Sequence, residues 1–207
     1  MDRRAALRNM SLSLGYVVAT PTILSVLQSC TTDPKLWSPM FFTKTEGYMI
    51  TQLSDIILPK TDIAGALDVN VPEFMDKMFH DILGDDQKQT MKEGALAFEN
   101  AFKKVYNKDA SQGSKAEYEK LLATYYNISE EKQKKISAML RDDKSKLTSE
   151  KINTFLIYKF LGETKNYTLR GYYTSELVGE TILNYDPIPG VYEPCIPLED
   201  VGNSWSL

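Results

Sequence analysis

The chain is 207 residues long, which suits one domain with appendages, and its 43% hydrophobic and 25% charged residues are typical of a globular protein. The formal net charge at pH 7 is −4, which argues against a nucleic-acid partner because such a partner calls for a basic face. The sequence contains no glycine-rich phosphate loop, no internal repeat and no low-complexity tract. These features favour an ordinary globular protein that binds no nucleic acid.

Residues 1–29 are predicted to be an export signal. Arg3 and Arg4 belong to a basic start, and residues 10–29 carry no charge. A basic region followed by an apolar region is the layout of such signals. The adjacent arginines resemble the twin-arginine export signal, whose usual pattern has an aromatic residue where Ala6 stands. Serine and threonine dilute the apolar region, which also suits that route. We therefore expect the chain to reach the periplasm or cell envelope.

The end of this leader resembles a lipoprotein cleavage box. The sequence LQSC ends at Cys30, which would become the lipidated first residue of the mature chain, although Gln28 departs from the strict pattern. The alternative is an uncleaved anchor, since about 20 apolar residues can span a bilayer. The serines and threonines make residues 10–29 a weak span. We expect the membrane to be reached through a lipid on Cys30 or through a partner.

Cys195 is the second of two cysteines. If Cys30 is lipidated, Cys195 has no disulfide partner within the chain. A free thiol or a bond to another chain is one interpretation. A small apolar residue packed in the C-terminal tail is the more ordinary one.

Residues 30–43 are predicted to be a tether, since they hold two prolines and show no periodicity, and residues 44–207 form the domain. In the domain, apolar residues recur at helical spacing and predict six helices. Pro59 ends the first helix, Pro72 opens the second and Ser129 caps the fifth. The apolar stripes are Met49/Ile50, Leu53 and Ile56/Ile57; Phe74/Met75, Met78/Phe79 and Ile82/Leu83; Met91, Ala95, Phe98, Phe102 and Val105; Tyr118, Leu121/Leu122 and Tyr125; Ile136 and Met139/Leu140; and Ile152, Phe155/Leu156 and residues 158–161.

No segment shows sustained alternation of apolar and polar residues, so the fold class is all-α: a compact multi-helix domain. Three segments are predicted to be irregular: residues 58–74, 109–115 and 169–198. The last of these contains NYDPIPGVYEPCIPL, residues 184–198, whose four prolines exclude a helix. We expect residues 184–207 to form an extended, proline- and tyrosine-rich C-terminal strap.

The residues available for catalysis are few. The one histidine, His80, follows Asp76 by one turn and precedes Asp81, but no nucleophile or substrate pocket accompanies it. One histidine and one free cysteine make no recognisable zinc or iron–sulfur site, and the C-x-x-C-H motif for haem attachment is missing. The sequence therefore predicts no catalytic, cofactor-binding or metal-binding residue in this chain, which is not expected to be an enzyme.

The C-terminal segment is the predicted partner-binding region. Tyrosines and prolines there offer rigid, amphipathic surface at low entropic cost, as at protein interfaces. The alternative is a strap that covers the domain's own core, and both can hold at once. The predicted partner-binding residues are Tyr172, Tyr173, Tyr185, Pro187, Pro189, Tyr192 and Cys195.

Two long stretches resemble the gluconate 2-dehydrogenase subunit 3 family, the small or gamma subunits of bacterial membrane-bound flavin dehydrogenases for sugars and sugar acids. They are LSDIILPKTDIAGALDVNVPEFMD, residues 53–76, and GYYTSELVGETILNYDPIPGVYEPCIPL, residues 171–198. The twin-arginine-like leader fits the same family. The positions that match are Pro59, Thr61, Asp62, Gly65, Ala66, Val71, Pro72 and Phe74, and then Gly171, Tyr172, Tyr173, Thr174, Ser175, Glu176, Tyr185, Asp186, Pro187, Pro189, Gly190, Tyr192 and Cys195.

The resemblance implies a role inside a complex. In such complexes a large subunit of the glucose–methanol–choline (GMC) type holds FAD and oxidises the substrate, and a multihaem cytochrome c subunit usually passes electrons towards membrane quinone. The small subunit holds no redox group and resembles an escort that carries the folded large subunit across the membrane. Cys30 is not required by the family pattern. A free-standing periplasmic lipoprotein that binds another protein, or an enzyme that uses His80, are the alternatives.

Overall fold

The computed structural model describes residues 37–142, 144–186, 188, 190 and 195–206, the side chain of Glu150 apart. Their secondary structure is helical, and the described part of the chain contains no β-strand. The leader with Arg3 and Arg4, and Cys30, lie outside the described residues. The helices are α1 (Lys44–Ile57), α2 (Val71–Asp81), α3 (Asp85–Tyr106), α4 (Lys115–Tyr126), α5 (Glu130–Met139), α6 (Ser149–Tyr173), α7 (Glu176–Thr181) and α8 (Leu198–Val201), with 3₁₀ turns at Ala110–Gln112 and Lys144–Lys146.

The all-α fold and the six helices predicted from apolar spacing are confirmed. Pro72 lies in the first turn of α2, and α1 ends before Pro59. The Ser129 side chain accepts a hydrogen bond from the Lys132 amide and so begins α5 as its N-cap. These boundaries follow from local chemistry that the sequence displays directly.

The prediction of irregular chain from residue 169 onward is wrong as far as residue 181. Helix α6 runs for 25 residues to Tyr173, and α7 follows after two residues. The helical periodicity is hard to recognise in the sequence because the buried face of α6 passes from apolar residues to threonines along its length. It carries Thr164 and Thr168, both fully buried, where an aliphatic stripe would be expected. The Thr168 hydroxyl donates to the Thr164 carbonyl within the helix, 2.7 Å away.

Helix α6 is the centre of the described domain, since it contacts α1, α2, α3, α5 and α7. Aromatic rings fill the space between the helices. Phe98 of α3 is fully buried, with its ring centroid 5.8 Å from Phe160 and 6.5 Å from Tyr118. Burial of such side chains typically stabilises a fold by about 1.5–3 kcal/mol each.

The folded domain begins earlier than the predicted boundary at Lys44. Asp76 of α2 is fully buried, and its carboxylate accepts hydrogen bonds from the amides of Met40 (2.6 Å), Phe41 (3.0 Å) and Phe42 (2.9 Å). The ring of Phe42 lies 5.5 Å from that of Phe79. The end of the predicted tether is therefore part of the core, and described residues from Pro39 onward form one compact unit.

Candidate partner-binding surface

The two segments that the sequence singled out meet at the end of α6, where one is irregular and the other is helical. The Tyr172 hydroxyl donates a hydrogen bond of 2.8 Å to the carbonyl of Ala64, 108 residues earlier in the chain. Gly171 lies against Phe74, so that a Cβ at this position would come within 2.6 Å of the ring. Burial raises the pKa of the Tyr172 phenol, which keeps its proton for this bond. Tyr172 thus joins two parts of its own chain.

The segment between α1 and α2 is held by its own hydrogen bonds. The Ala66 amide donates to the Leu58 carbonyl at 2.9 Å, and the Gly65 amide donates to the Asp68 carboxylate at 2.8 Å. Lys60 also contacts that carboxylate at 2.7 Å, and together these donors lower the pKa of Asp68. The segment is ordered without regular structure, because side chains and turns satisfy its backbone.

An open groove of about 680 Å³ lies beside α7. Tyr173, the last residue of α6, forms part of its wall together with Tyr185 and Trp205. All three rings are about half exposed: Tyr173 at 53%, Tyr185 at 49% and Trp205 at 54%. The carboxylates of Glu176 and Glu180 lie along the same groove. We call this surface the C-terminal face.

Asn184, three residues after α7, is hydrogen-bonded to residues 201–206 and so closes the intervening chain into a loop. Its amide donates to the Ser204 carbonyl at 3.0 Å, and its carbonyl accepts from the Ser206 amide at 2.8 Å. Its side-chain amide donates to the carbonyls of Val201 and Asn203. Asn184 and Trp205 form an isolated parallel bridge as a result. The described ends of the predicted strap are therefore fixed to each other.

Gly202 makes this closure possible. Its φ is +68° and its ψ −133°, a combination that essentially only glycine adopts without strain. An added Cβ would also lie 3.3 Å from two atoms of the Asn184 side-chain amide. The turn at Gly202 presents the carbonyls of Val201 and Asn203 to the same amide group.

The charge of the C-terminal segment differs from that of the rest of the chain. Residues 171–207 contain six carboxylate side chains and no lysine or arginine, whereas residues 30–170 contain 21 charges of each sign. Five of the six are exposed, and none takes part in an ion pair with another described residue. The six are Glu176, Glu180, Asp186, Glu193, Glu199 and Asp200, of which Glu193 lies outside the described residues.

The candidate catalytic histidine lies on the surface. His80 Nδ1 is 2.7 Å from the Asp81 carboxylate, while Asp76 is engaged with the backbone of residues 40–42. Within the described residues, no group of three or more histidine, cysteine or acidic side chains could hold a metal ion. A cleft of about 280 Å³ lies between α3 and α6, and the hydroxyl of Thr90 in its wall is already bonded to the Asp86 carbonyl. No nucleophile–base pair lines this cleft among the residues described.

Residues 44–190 match the family model of gluconate 2-dehydrogenase subunit 3. The chain belongs to the gluconate 2-dehydrogenase subunit 3 family. The match runs from α1 into the strap and includes both segments that meet at Tyr172. No curated protein and no solved structure matches the chain. Membership in this subunit family implies a dehydrogenase as partner.

In this member of the subunit 3 family, some of the predicted partner-binding residues are buried and others are exposed. Tyr172 is 5% exposed and serves the fold, whereas Tyr173 and Tyr185 face solvent on the C-terminal face. Cys195 is exposed, so the expectation that it packs in the tail is wrong. Pro187, Pro189 and Tyr192 lie outside the described residues.

Sequence reasoning missed two residues that form this surface. Trp205 exposes apolar surface in the groove, and Asn184 holds the loop closed. The signal was present in the sequence GNS before Trp205, since glycine and asparagine mark turns.

No helix in the described part of the chain is both long enough and apolar enough to span a bilayer.

Proposed function

We propose that this chain is the non-catalytic small subunit of a periplasmic, membrane-associated FAD-dependent dehydrogenase of the GMC type, which oxidises a sugar or sugar acid. In this proposal it acts in the export, maturation and stability of the flavoprotein subunit. The observation that carries it is the family match over residues 44–190. FAD then belongs to the large subunit, and haem c to a cytochrome c subunit where the complex has one.

The leader supports the export role. Arg3 and Arg4 stand in the arrangement of the twin-arginine signal, and that route carries proteins that have already folded. A large subunit without a signal of its own would cross the membrane bound to this chain. The escort must therefore bind its partner in the cytoplasm, before export.

Conservative substitution of the paired arginines tests co-export. Arg3→Lys with Arg4→Lys keeps the positive charge and removes only the arginine-specific geometry. We expect both this chain and the flavoprotein to remain in the cytoplasm, as measured by fractionation and dehydrogenase activity. Arg8→Lys is the matched control and should leave export intact. A flavoprotein that still reaches the periplasm with the double variant contradicts the escort role.

Cys30 supports attachment to the membrane by lipid. Acyl chains contribute about 0.8 kcal/mol per buried CH₂ group, so Cys30→Ala should release the complex from membranes. Thr32→Ala, two residues further along the chain, is the control and should leave it bound because Cys30 is kept. Unchanged membrane retention without added mass on the wild-type N-terminus points instead to an uncleaved anchor or a cytochrome. If no flavoprotein co-purifies with the chain, a free-standing periplasmic lipoprotein replaces the proposed function.

A further inference from the structure

We infer that the C-terminal face docks onto a basic surface of the dehydrogenase with an apolar centre, and that Asn184 holds this face in its binding shape. The inference rests on the proposed function, because it takes the dehydrogenase as the partner. It adds the chemistry of the contact, three aromatic anchor residues and a positioning residue.

The apolar part of the argument comes from the exposed aromatic rings. Tyr173, Tyr185 and Trp205 line one groove and are each about half exposed, while Leu177 on α7 is 44% exposed. Tyrosine and tryptophan are enriched at interface centres, because a partner can bury their large rings at little cost in side-chain entropy. The groove therefore offers aromatic anchors around which a partner can close.

The charge part of the argument identifies the partner's surface. Glu176 and Glu180 line the groove, and Asp186 follows directly after Tyr185. No lysine or arginine lies anywhere in residues 171–207, so nothing in this segment neutralises these carboxylates. Interfaces place opposite potentials against each other, and like charges across an interface cost several kcal/mol. The complementary surface is one of lysine and arginine side chains around an apolar centre.

The positioning argument concerns the closed loop. Asn184 ties residues 201–206 to the end of α7 through main-chain and side-chain hydrogen bonds. This brings Trp205 to the same groove as Tyr185, although 20 residues separate them in sequence. A surface that is already ordered loses less entropy on binding and so binds more tightly. Asn184 and the turn at Gly202 therefore set the affinity without needing to touch the partner.

Charge reversal on the face is the first test. The variant Glu176→Lys with Glu180→Lys is compared with Glu119→Lys and Asp142→Lys, which change the net charge equally at exposed positions outside the groove. Binding is measured at 50 and 500 mM salt against the flavoprotein that co-purifies with the wild-type chain. We expect the face variant to bind at least about tenfold more weakly at 50 mM and to lose most of its salt dependence. Equal binding of the two double variants overturns the inference.

Side-chain truncation is the second test. Trp205→Ala should weaken binding at least about tenfold, whereas Tyr126→Ala, which removes a ring of similar exposure from α4, should not. Asn184→Ala should weaken binding while the salt dependence stays at the wild-type value, because the carboxylates remain. Asn184→Ala that binds like wild type overturns the positioning role, and equal losses for Trp205→Ala and Tyr126→Ala overturn the anchor role.

The two proposals fail in different ways. If no dehydrogenase co-purifies with the wild-type chain, the proposed function fails and the docking inference falls with it. If the dehydrogenase co-purifies and the face variants bind as tightly as wild type, only the docking inference fails. Sedimentation of the isolated chain covers a further outcome. If the wild-type chain is a dimer and the Glu176→Lys with Glu180→Lys variant is a monomer, the face binds a second copy of the chain and the docking inference is overturned.

Discussion

The helical body, which is α1 to α6 as far as Tyr172, and the C-terminal face hold the same kinds of side chain in opposite environments. In the body, carboxylates meet lysines: Glu46 contacts Lys92 at 2.6 Å, and Glu117 contacts Lys108 at 2.8 Å. Its aromatic rings pack against one another in the core, as Phe98 does. The carboxylates of the C-terminal face lie in residues 171–207, which contain no lysine or arginine, and three aromatic residues of the face are about half exposed.

This difference shows which part of the molecule is complete by itself. Surface ion pairs add little stability individually, typically about 0–1 kcal/mol, but their distribution shows where opposite charges are supplied by the chain itself. The body mixes lysines with its carboxylates and buries most of its rings. The C-terminal face has half-exposed rings and exposed carboxylates that form no ion pair with another described residue, which agrees with membership in a family of dehydrogenase subunits.

Truncation of a body ring is expected to have the largest effect on stability. Phe98→Ala removes a fully buried ring between Tyr118 and Phe160 and should cost about 3–5 kcal/mol of unfolding free energy. Leu96→Ala on the same helix is the control, because Leu96 is exposed and should cost less than about 0.5 kcal/mol. Urea unfolding measures both. A cost below 1 kcal/mol for Phe98→Ala would mean that the body is loosely packed.

Removal of the buried carboxylate of the body is expected to have the next largest effect on stability. Asp76→Ala leaves the amides of residues 40–42 without their acceptor and should cost about 2–3 kcal/mol. Faster hydrogen exchange at these three amides should accompany the loss. Asp81→Ala, five residues further on the same helix and exposed, should change neither measurement. Unchanged exchange in Asp76→Ala would show that ring packing alone holds this segment.

Deletion of residues 184–207 should change stability less and binding more. The body keeps its ring core and its ion pairs, so circular dichroism should report an unchanged helical spectrum and a small shift in the urea midpoint. Co-purification with the dehydrogenase should be lost, because Tyr185 and Trp205 are removed with the loop. A truncated chain that remains folded and still binds contradicts docking through this segment. A truncated chain that unfolds shows instead that the segment covers the body's core.

The smallest expected effect is a pH dependence in the body. Lys108, together with the Ser114 amide and hydroxyl, lowers the pKa of Glu117 from 4.5 to about 2. Because the folded-state pKa is the lower one, this contribution is present above pH 4.5 and is lost as the pH falls towards 2. Glu117→Gln should therefore reduce the loss of stability on acidification through this window. Glu119→Gln, an exposed neighbour, should show the wild-type dependence of stability on pH. If wild type and both variants show the same dependence, Glu117 does not contribute to the loss of stability in acid.

The sequence by itself determined the fold class, most helix positions and the family. Helices show in a sequence because their apolar stripes, proline boundaries and caps such as Ser129 depend on neighbours within four residues. The segments around Gly65 and Tyr172 could likewise be chosen as unusual from their composition alone. The leader, Cys30 and the part of the strap that lies outside the described residues remain predictions from sequence.

Only the tertiary structure decided which residues meet. Asp76 reaches Met40 across 36 residues, and Tyr172 reaches Ala64 across 108, and neither pairing leaves a local pattern. The same holds for the hydrogen bonds of Asn184 with residues 201–206, which join the described ends of the predicted strap. Tyr172 and Tyr173 are adjacent in sequence, yet one is buried and the other exposed, because consecutive helical side chains point about 100° apart and only packing decides which direction faces the core.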